Sequence, residues 1–338
     1  MTPPAPVVQR ATRASRIAGA VSVVAVLVAA TLPAWADSST LRLFVEFACL
    51  LAMAQMWNLL AGYGGLVSVG QQGYLGIGGY ALVVLADLAG WNPFVCVPIA
   101  GAIAALIAIP TSKIVFRLHG GYFAIGTWVV AESFRLIAAN ATAVGGGTGT
   151  SLTSMRAFPK AMRESLTYWI ALAVAVGAVA GVYWLLRSRY GLALTAIRDS
   201  ERAAASQGVD IAATKFWVYL IAAFGCGVVG ALYFLMNLRI SPDAAFGVSW
   251  TAFIIFIVVI GGIGTIEGPI IGTLLFFLLR ESLGDFGTWY LITLGVVAVV
   301  VMVRFPRGLW GYVAARFDLH LFPVQRRLAL PDDGPSGS

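Results

Sequence analysis

Long apolar runs broken by short polar segments occupy most of this chain, and their spacing predicts about ten membrane-spanning helices. A helical span needs roughly 20 mostly apolar residues. Such runs start near Ile17, Leu43, Leu66, Pro93, Tyr122, Thr167, Phe216, Thr251, Pro269 and Thr288. The eighth and ninth are short and meet at Glu267-Gly268-Pro269, which also fits a single re-entrant hairpin. A membrane β-barrel would instead show alternating segments of roughly ten residues. The predicted fold is an all-α polytopic membrane protein whose spans include glycine-rich broken segments.

Composition agrees with the pattern. Of 338 residues, 59% are hydrophobic and 11% charged, and the mean hydropathy is +0.87. Soluble domains carry about 25% charged residues.

Charge then orients the spans, because cytoplasmic loops collect Lys and Arg. With the N-terminus inside, the inner loops hold Arg10, Arg13, Arg16, Lys113, Arg117, the basic residues of 187–215, and Arg304 onward, most of the 22 basic residues in the chain. Both termini are therefore expected in the cytoplasm. The net charge of +7 follows from loops facing anionic lipid and calls for no nucleic acid. The organisation reads as a cytoplasmic tail (1–16), a transmembrane domain (17–303), and a basic tail (304–338) whose final PDDGPSGS should be disordered.

The longest segment that cannot cross runs from Arg187 to Lys215. Arg198, Asp199, Glu201 and Arg202 fall within five residues, and each charge at the bilayer centre costs at least ~2.5 kcal/mol. Ala193, Ala196 and Ala203–Ala205 favour helix. Gly208 can close one helix with a left-handed cap and Asp210 can cap the next. The segment reads as two short helices outside the membrane, either a connector or a docking surface.

At the N-terminus, Arg10, Arg13 and Arg16 precede an apolar run from Ile17, and Ala34-Trp35-Ala36 fits a cleavage pattern. The run of about 16 residues is long for a signal peptide core, so a retained first helix is expected.

Two glycine-rich stretches interrupt spans. Eight glycines lie between Gly62 and Gly79, and a second break covers Gly261-Gly262-Ile263-Gly264-Thr265-Ile266-Glu267-Gly268. Small residues let helices approach closely, while transporters place substrate sites at broken helices; both readings apply. The expected path residues are Gly65, Ser68, Gln71, Gln72, Tyr74, Thr127, Glu132, Gly262, Gly264 and Thr265. Glu132 and Arg135 stand three apart and can pair on one helix face, as a pathway feature or as an internally satisfied pair. Glu267, by the inner end, reads as a solvated acid.

The polar, glycine-rich loop from Asn140 to Arg163 lacks the Lys-Ser/Thr of a phosphate-binding loop, and no such motif occurs elsewhere. Cys49, Cys96 and Cys226 sit in apolar runs and read as buried thiols. With two histidines, His119 and His320, no metal-ligand cluster is expected. No cofactor and no enzymatic activity are expected of the chain itself.

Three regions together resemble the permease subunits of branched-chain amino-acid ABC importers, of the LivM-like type. They are GYGGLVSVGQQGYLGIGGY at 62–80; GGYFAIGTWVVAESFRL at 120–136 with GGGTGTSL at 145–152; and AIRDSERAAASQGVD at 196–210 with GGIGTIEGPIIG at 261–272. They cover most of the chain from Asn58 to Phe277. In such importers a cytoplasmic E-A-A-x-x-x-G element docks into the ATPase. Glu201, Ala203, Ala204 and Gly208 are similar to it, with Arg202 inserted after the Glu. The resemblance implies that Arg198, Asp199 and these four residues couple to the ATPase. It also implies two ATPase subunits, a second permease forming a heterodimer, and a periplasmic binding protein, around a bacterial inner-membrane chain. The implied substrate is leucine, isoleucine, valine or a related amino acid or amide; urea and short-chain amide importers share these motifs.

Overall fold

The computed structural model describes residues 7–9, 13–283, 289–305, 307–317, 321–322 and 327–329. The helices are α1 (Arg13–Thr31), α2 (Ser38–Asn58), α3 (Gln71–Val83), α4 (Pro93–Val115), α5 (Gly121–Asn140), α6 (Lys160–Arg187), α7 (Arg189–Asp199), α8 (Glu201–Ser206), α9 (Ile211–Asn237), α10 (Pro242–Phe246), α11 (Ser249–Gly261), α12 (Glu267–Leu283), α13 (Trp289–Arg304) and α14 (Gly308–Phe317). Strands are few and short. β1 (Val7–Gln9) pairs antiparallel with β4 (Arg327–Ala329), and β2 (Thr150–Ser151) with β3 (Arg239–Ile240).

Among the described residues, eight helical stretches are long and apolar enough to cross a membrane. The ten runs read from the sequence correspond to α1–α6, α9 and α11–α13. The two that fall short are α3 and α12, which follow the glycine-rich breaks. α11 and α12 pack closely against each other as a helical hairpin. A Cβ on Gly261 would run into the Gly268 carbonyl, and one on Gly272 into the Ile257 carbonyl.

α3 is the centre of the bundle, and every residue from Gln71 to Val83 is buried. A 13-residue helix can be enclosed on all sides only if its neighbours come very close, and its glycines allow that. Gly73 lies against Ala131 of α5, Gly76 against Phe246 of α10, and Gly78 against Gly227 of α9. The spacing of these glycines thus serves several helix contacts at once. α2 and α9 carry the largest shares of the remaining core, including Met53, Trp57, Tyr219, Cys226 and Leu232. Cys49, Cys96 and Cys226 are free and buried, as expected.

The outer surface is apolar, as a lipid-facing surface must be. Ile17, Val21, Val24 and Leu27 of α1 are exposed, and α1 is tied to α6 by Tyr168 Oη donating to the Ala29 carbonyl at 2.6 Å. Exposed aromatics cluster near both ends of the spans: Trp35 and Trp91 at one end, Tyr122, Trp184 and Trp217 at the other. Such rings prefer the headgroup level.

Alternation of the spans gathers the connections at two ends. At one, Asp87 meets Thr153 and Ser154, β2 pairs with β3, and Ser38 donates to Glu164 at 2.8 Å. At the other, residues 62–65, 118–121, 187–215 and 262–266 come together. This second end holds the loops that the charge pattern assigns to the cytoplasm.

Two features depart from the sequence reading. α14 forms inside the segment read as a basic tail, because Trp310 finds a buried place beside Gly262. Glu267 is buried rather than solvated. It sits in the first turn of α12, where free helix N–H groups favour an acid, and accepts a hydrogen bond from the Phe322 backbone at 3.0 Å. The expected disorder of PDDGPSGS lies outside the described residues.

Candidate functional site

The first break begins where α2 ends. Residues Leu59–Tyr63 continue α2 as a π-turn, a widened turn frequent at functional positions. Gly65 then takes φ +67°, and the chain stays non-helical until α3 starts at Gln71. Non-helical backbone at membrane depth must find its partners in protein. Trp57 Nε1 donates to the Ser68 carbonyl at 2.7 Å. The Val69 amide donates to Thr127 Oγ1 at 3.1 Å, and the Gly70 amide to Ser68 Oγ at 3.2 Å.

The second break, between α11 and α12, turns on Gly262 (φ +137°) and Gly264 (φ +75°), backbone conformations that only glycine adopts easily. Thr265 Oγ1 donates to the Gly262 carbonyl at 2.8 Å and accepts from the Gly268 amide at 3.0 Å.

The two breaks touch. A Cβ on Gly62 would lie 2.6 Å from the Gly264 nitrogen. Asn58, fully buried in the last turn of α2, spans the contact. Its Nδ2 donates to the Thr265 carbonyl and its Oδ1 accepts from the Gly264 amide, each at 2.8 Å. One turn earlier, Gln55 Nε2 donates to the Ile266 carbonyl at 2.8 Å.

The polar side chains at the start of α3 are all buried and join it to its neighbours. Gln71 Oε1 accepts from Cys226 Sγ of α9 at 3.3 Å. Gln72 Oε1 accepts from Thr251 Oγ1 of α11. Tyr74 Oη lies 2.7 Å from Thr111 Oγ1 of α4 and donates to Tyr219 Oη of α9 at 2.8 Å. Among the expected path residues, Ser68, Gln71, Gln72, Tyr74 and Thr127 form one neighbourhood. Gly262, Gly264 and Thr265 form a second, beside Gly62. Gly65 stands apart, lining a cleft of about 280 Å³ with Leu66, His119, Phe123, Glu201 and Lys215. Glu132 is remote, towards the opposite end. There it accepts from Arg135 Nη2 at 2.6 Å, while Arg135 Nη1 reaches Asp243 at 2.8 Å.

The 187–215 segment folds as the charge and alanine pattern predicts. Ser188 caps α7, Ser200 caps α8 by accepting from the Ala203 amide at 3.3 Å, and Asp210 caps α9 by accepting from the Ala213 amide at 2.9 Å. Gly208 takes φ +82°, the left-handed turn expected there. Leu194, Ile197 and Ala204 are buried, while Asp199, Glu201, Arg202, Ala203 and Gly208 are exposed. Glu201 is held by Lys215 at 2.6 Å. Arg198 turns back toward the membrane domain: its Nη1 donates to the Gly62 carbonyl at 3.1 Å, while its Nε contacts Asp199 at 3.2 Å.

Sequence reasoning passed over Gln55, Asn58 and Lys215. Two amides within the apolar helix ACLLAMAQMWN were the available signal, since a buried amide must find partners.

Residues 39–305, from α2 to α13, match the family profile described as "Branched-chain amino acid transport system / permease component". The chain is 29% identical over 279 residues to the "High-affinity branched-chain amino acid transport system permease protein LivM" of Escherichia coli, covering 75% of this chain and 65% of that protein. The LivM protein of Salmonella typhimurium matches to the same extent. The "Probable branched-chain amino acid transport permease protein LivM" of Methanocaldococcus jannaschii is 26% identical over 230 residues, 62% of this chain and 66% of that protein. The alignment thus spans a little under two thirds of the length of the two bacterial relatives. No solved structure matches the chain. With its profile match running through both glycine-rich breaks and the hairpin between them, the chain belongs to the branched-chain amino acid transport system permease component family.

Proposed function

We propose that this chain is a permease subunit of an ATP-driven importer for branched-chain amino acids. It forms half of a translocation path in a bacterial inner membrane and carries out no covalent chemistry. Two ATPase subunits supply the driving force, a second permease completes the path as a heterodimer, and a periplasmic binding protein delivers leucine, isoleucine or valine.

The observation that supports this best is the two-sided hairpin of α7 and α8. Its outer face presents Asp199, Glu201, Ala203 and Gly208 to solvent, as a docking surface requires. Its inner side reaches the first break through Arg198. A connector with no task needs neither. Residues Arg198, Asp199, Glu201, Ala203, Ala204 and Gly208 form the coupling region in this reading; Ala204 is buried, Arg198 reaches inward from an exposed position, and the others are open to the motor.

In this reading the arrangement is closed to solute, since the polar groups nearest the first break are turned to protein partners. The polar groups of Ser68, Gln71, Gln72 and Tyr74 are buried and bonded to one another's neighbours. A shift of α3 against α9 and α11 frees these groups for a zwitterionic solute, and the breaks supply the backbone freedom for that shift.

The test is reconstitution in liposomes. The complete assembly with ATP should accumulate labelled leucine, but not urea or glutamate. Urea uptake would reassign the substrate. Leucine uptake by this chain alone under a proton or sodium gradient would replace the ATP-driven reading with an ion-coupled one.

A further inference from the structure

We infer that Asn58 is the joint through which the cytoplasmic hairpin moves both glycine-rich breaks together. The hydrogen bonds form one continuous line, which runs beside a direct contact: a Cβ on Gly264 would lie 3.2 Å from Arg198 Nη1. Arg198 of α7 donates to the Gly62 carbonyl at 3.1 Å, an end-of-helix acceptor left open where the π-turn finishes. Gly62 stands four residues after Asn58 and packs on its amide, since a Cβ on Gly62 would run into Asn58 Oδ1. Asn58 uses both ends of its amide on the second break, at the Gly264 amide and the Thr265 carbonyl. Gln55, three residues before Asn58, adds the Ile266 carbonyl.

Three hydrogen bonds from one helix end thus hold residues 264–266. The contact between Gly62 and Gly264 leaves no space for slippage. The second break in turn belongs to a stiff unit, since α11 and α12 meet backbone to backbone at Gly261 and Gly268. A displacement of the hairpin that pulls on Gly62 therefore moves the end of α2, and through Asn58 it moves the α11–α12 hairpin. A buried amide satisfied entirely by backbone also resists exchange for an apolar side chain, because its partners would be left unpaired. Asn58 acts here as a positioning residue; it need not touch the solute.

The transport consequence rests on the reading above, but the linkage itself does not, so the two are tested apart. In the purified full-length chain, backbone hydrogen exchange is followed at 62–66 and 262–268. Asn58→Leu should speed exchange at 262–268 by about tenfold, the effect of losing its hydrogen bonds, and leave 62–66 near the parent rate. Arg198→Ala should speed both segments. In the Asn58→Leu background its effect at 262–268 should be much smaller than in the parent, the non-additivity expected of residues that share one linkage. Additive effects at 262–268 would overturn the joint. Should Asn58→Leu fail to fold, Asn58→Ser is measured under the same criteria.

In the complete assembly, Asn58→Leu should keep ATP hydrolysis while leucine uptake per ATP falls by about tenfold, and Arg198→Lys, which keeps one donor and the charge, should restore part of what Arg198→Ala loses. Uptake and hydrolysis falling in step would reduce Asn58 to structural support and overturn the inference. If no ATPase partner exists the proposed function fails, while the exchange result stands or falls by itself.

Discussion

Gly78 of α3 faces Gly227 of α9 backbone to backbone, so that a Cβ on Gly78 would lie 2.6 Å from Gly227 Cα. Neither side has a flexible group that can yield. Overpacking a tight site costs ~1–3 kcal/mol, and a clash with backbone belongs at the upper end. Gly78→Ala should lower the thermal unfolding midpoint sharply and reduce the yield of folded protein. Gly181→Ala is the control, since a Cβ there meets nothing within 4 Å. Replacing a glycine inside α6 should stabilise by up to ~1 kcal/mol. Equal midpoints for the two variants would contradict the packing described.

Gly208 separates conformation from contact. Its φ of +82° disfavours any side chain, yet a Cβ there meets nothing within 4 Å. Asparagine tolerates the left-handed region and valine does not. In the chain alone, Gly208→Asn should fold normally, while Gly208→Val loses roughly 1–2 kcal/mol. In the full assembly both should lose uptake if an ATPase packs against this exposed turn. Normal uptake by Gly208→Asn, measured in liposomes, would argue that nothing docks there.

Arg135 ties α5 to α10 by gripping Glu132 and Asp243. Glu132 is about two-fifths exposed and Asp243 largely so, which leaves both pairs open to solvent screening. Glu132→Gln should therefore give only a small drop in the unfolding midpoint. Leucine uptake should keep its KM, since the carboxylate is already engaged by Arg135. A KM shifted severalfold with an unchanged midpoint would return Glu132 to the path.

Asp87, just beyond the C-terminal end of α3, accepts from the Thr153 and Ser154 amides, each at 2.8 Å. Partial burial works against its charge, but these donors and the neighbouring hydroxyls prevail and hold its pKa below the usual carboxylate value. A carboxyl depressed in the folded state stabilises above its unfolded pKa of about 4, and that contribution disappears as pH falls through the folded value. Protease cleavage within 146–157 should therefore rise on acidification below about pH 4. In Asp87→Asn it should be higher at neutral pH and respond less to acid. An identical acid response in both proteins would contradict the assignment.

The sequence disclosed what depends on local pattern. Span positions followed from apolar run length, and the Gly208–Asp210 turn from a left-handed cap followed by an N-cap. The break before α3 was legible from glycines ahead of Ser68. The sequence did not disclose which distant segments meet. Asn58 bonds to Gly264 across 206 positions, and no periodicity encodes that pairing. Glu267 looked solvated because α14 was not foreseen; its burial is a property of the packed end. The α3 glycines were legible as close contacts, but which helix each would meet was not.

If the α7–α8 hairpin carries force from a nucleotide-driven partner, a photo-crosslinking residue at Ala203, in chain isolated from its native membrane, should capture a protein that binds and hydrolyses ATP, and Gly208→Val should lose that crosslink. A hairpin that crosslinks only to lipid or to its own chain, while ATP-dependent leucine uptake continues, would contradict that role.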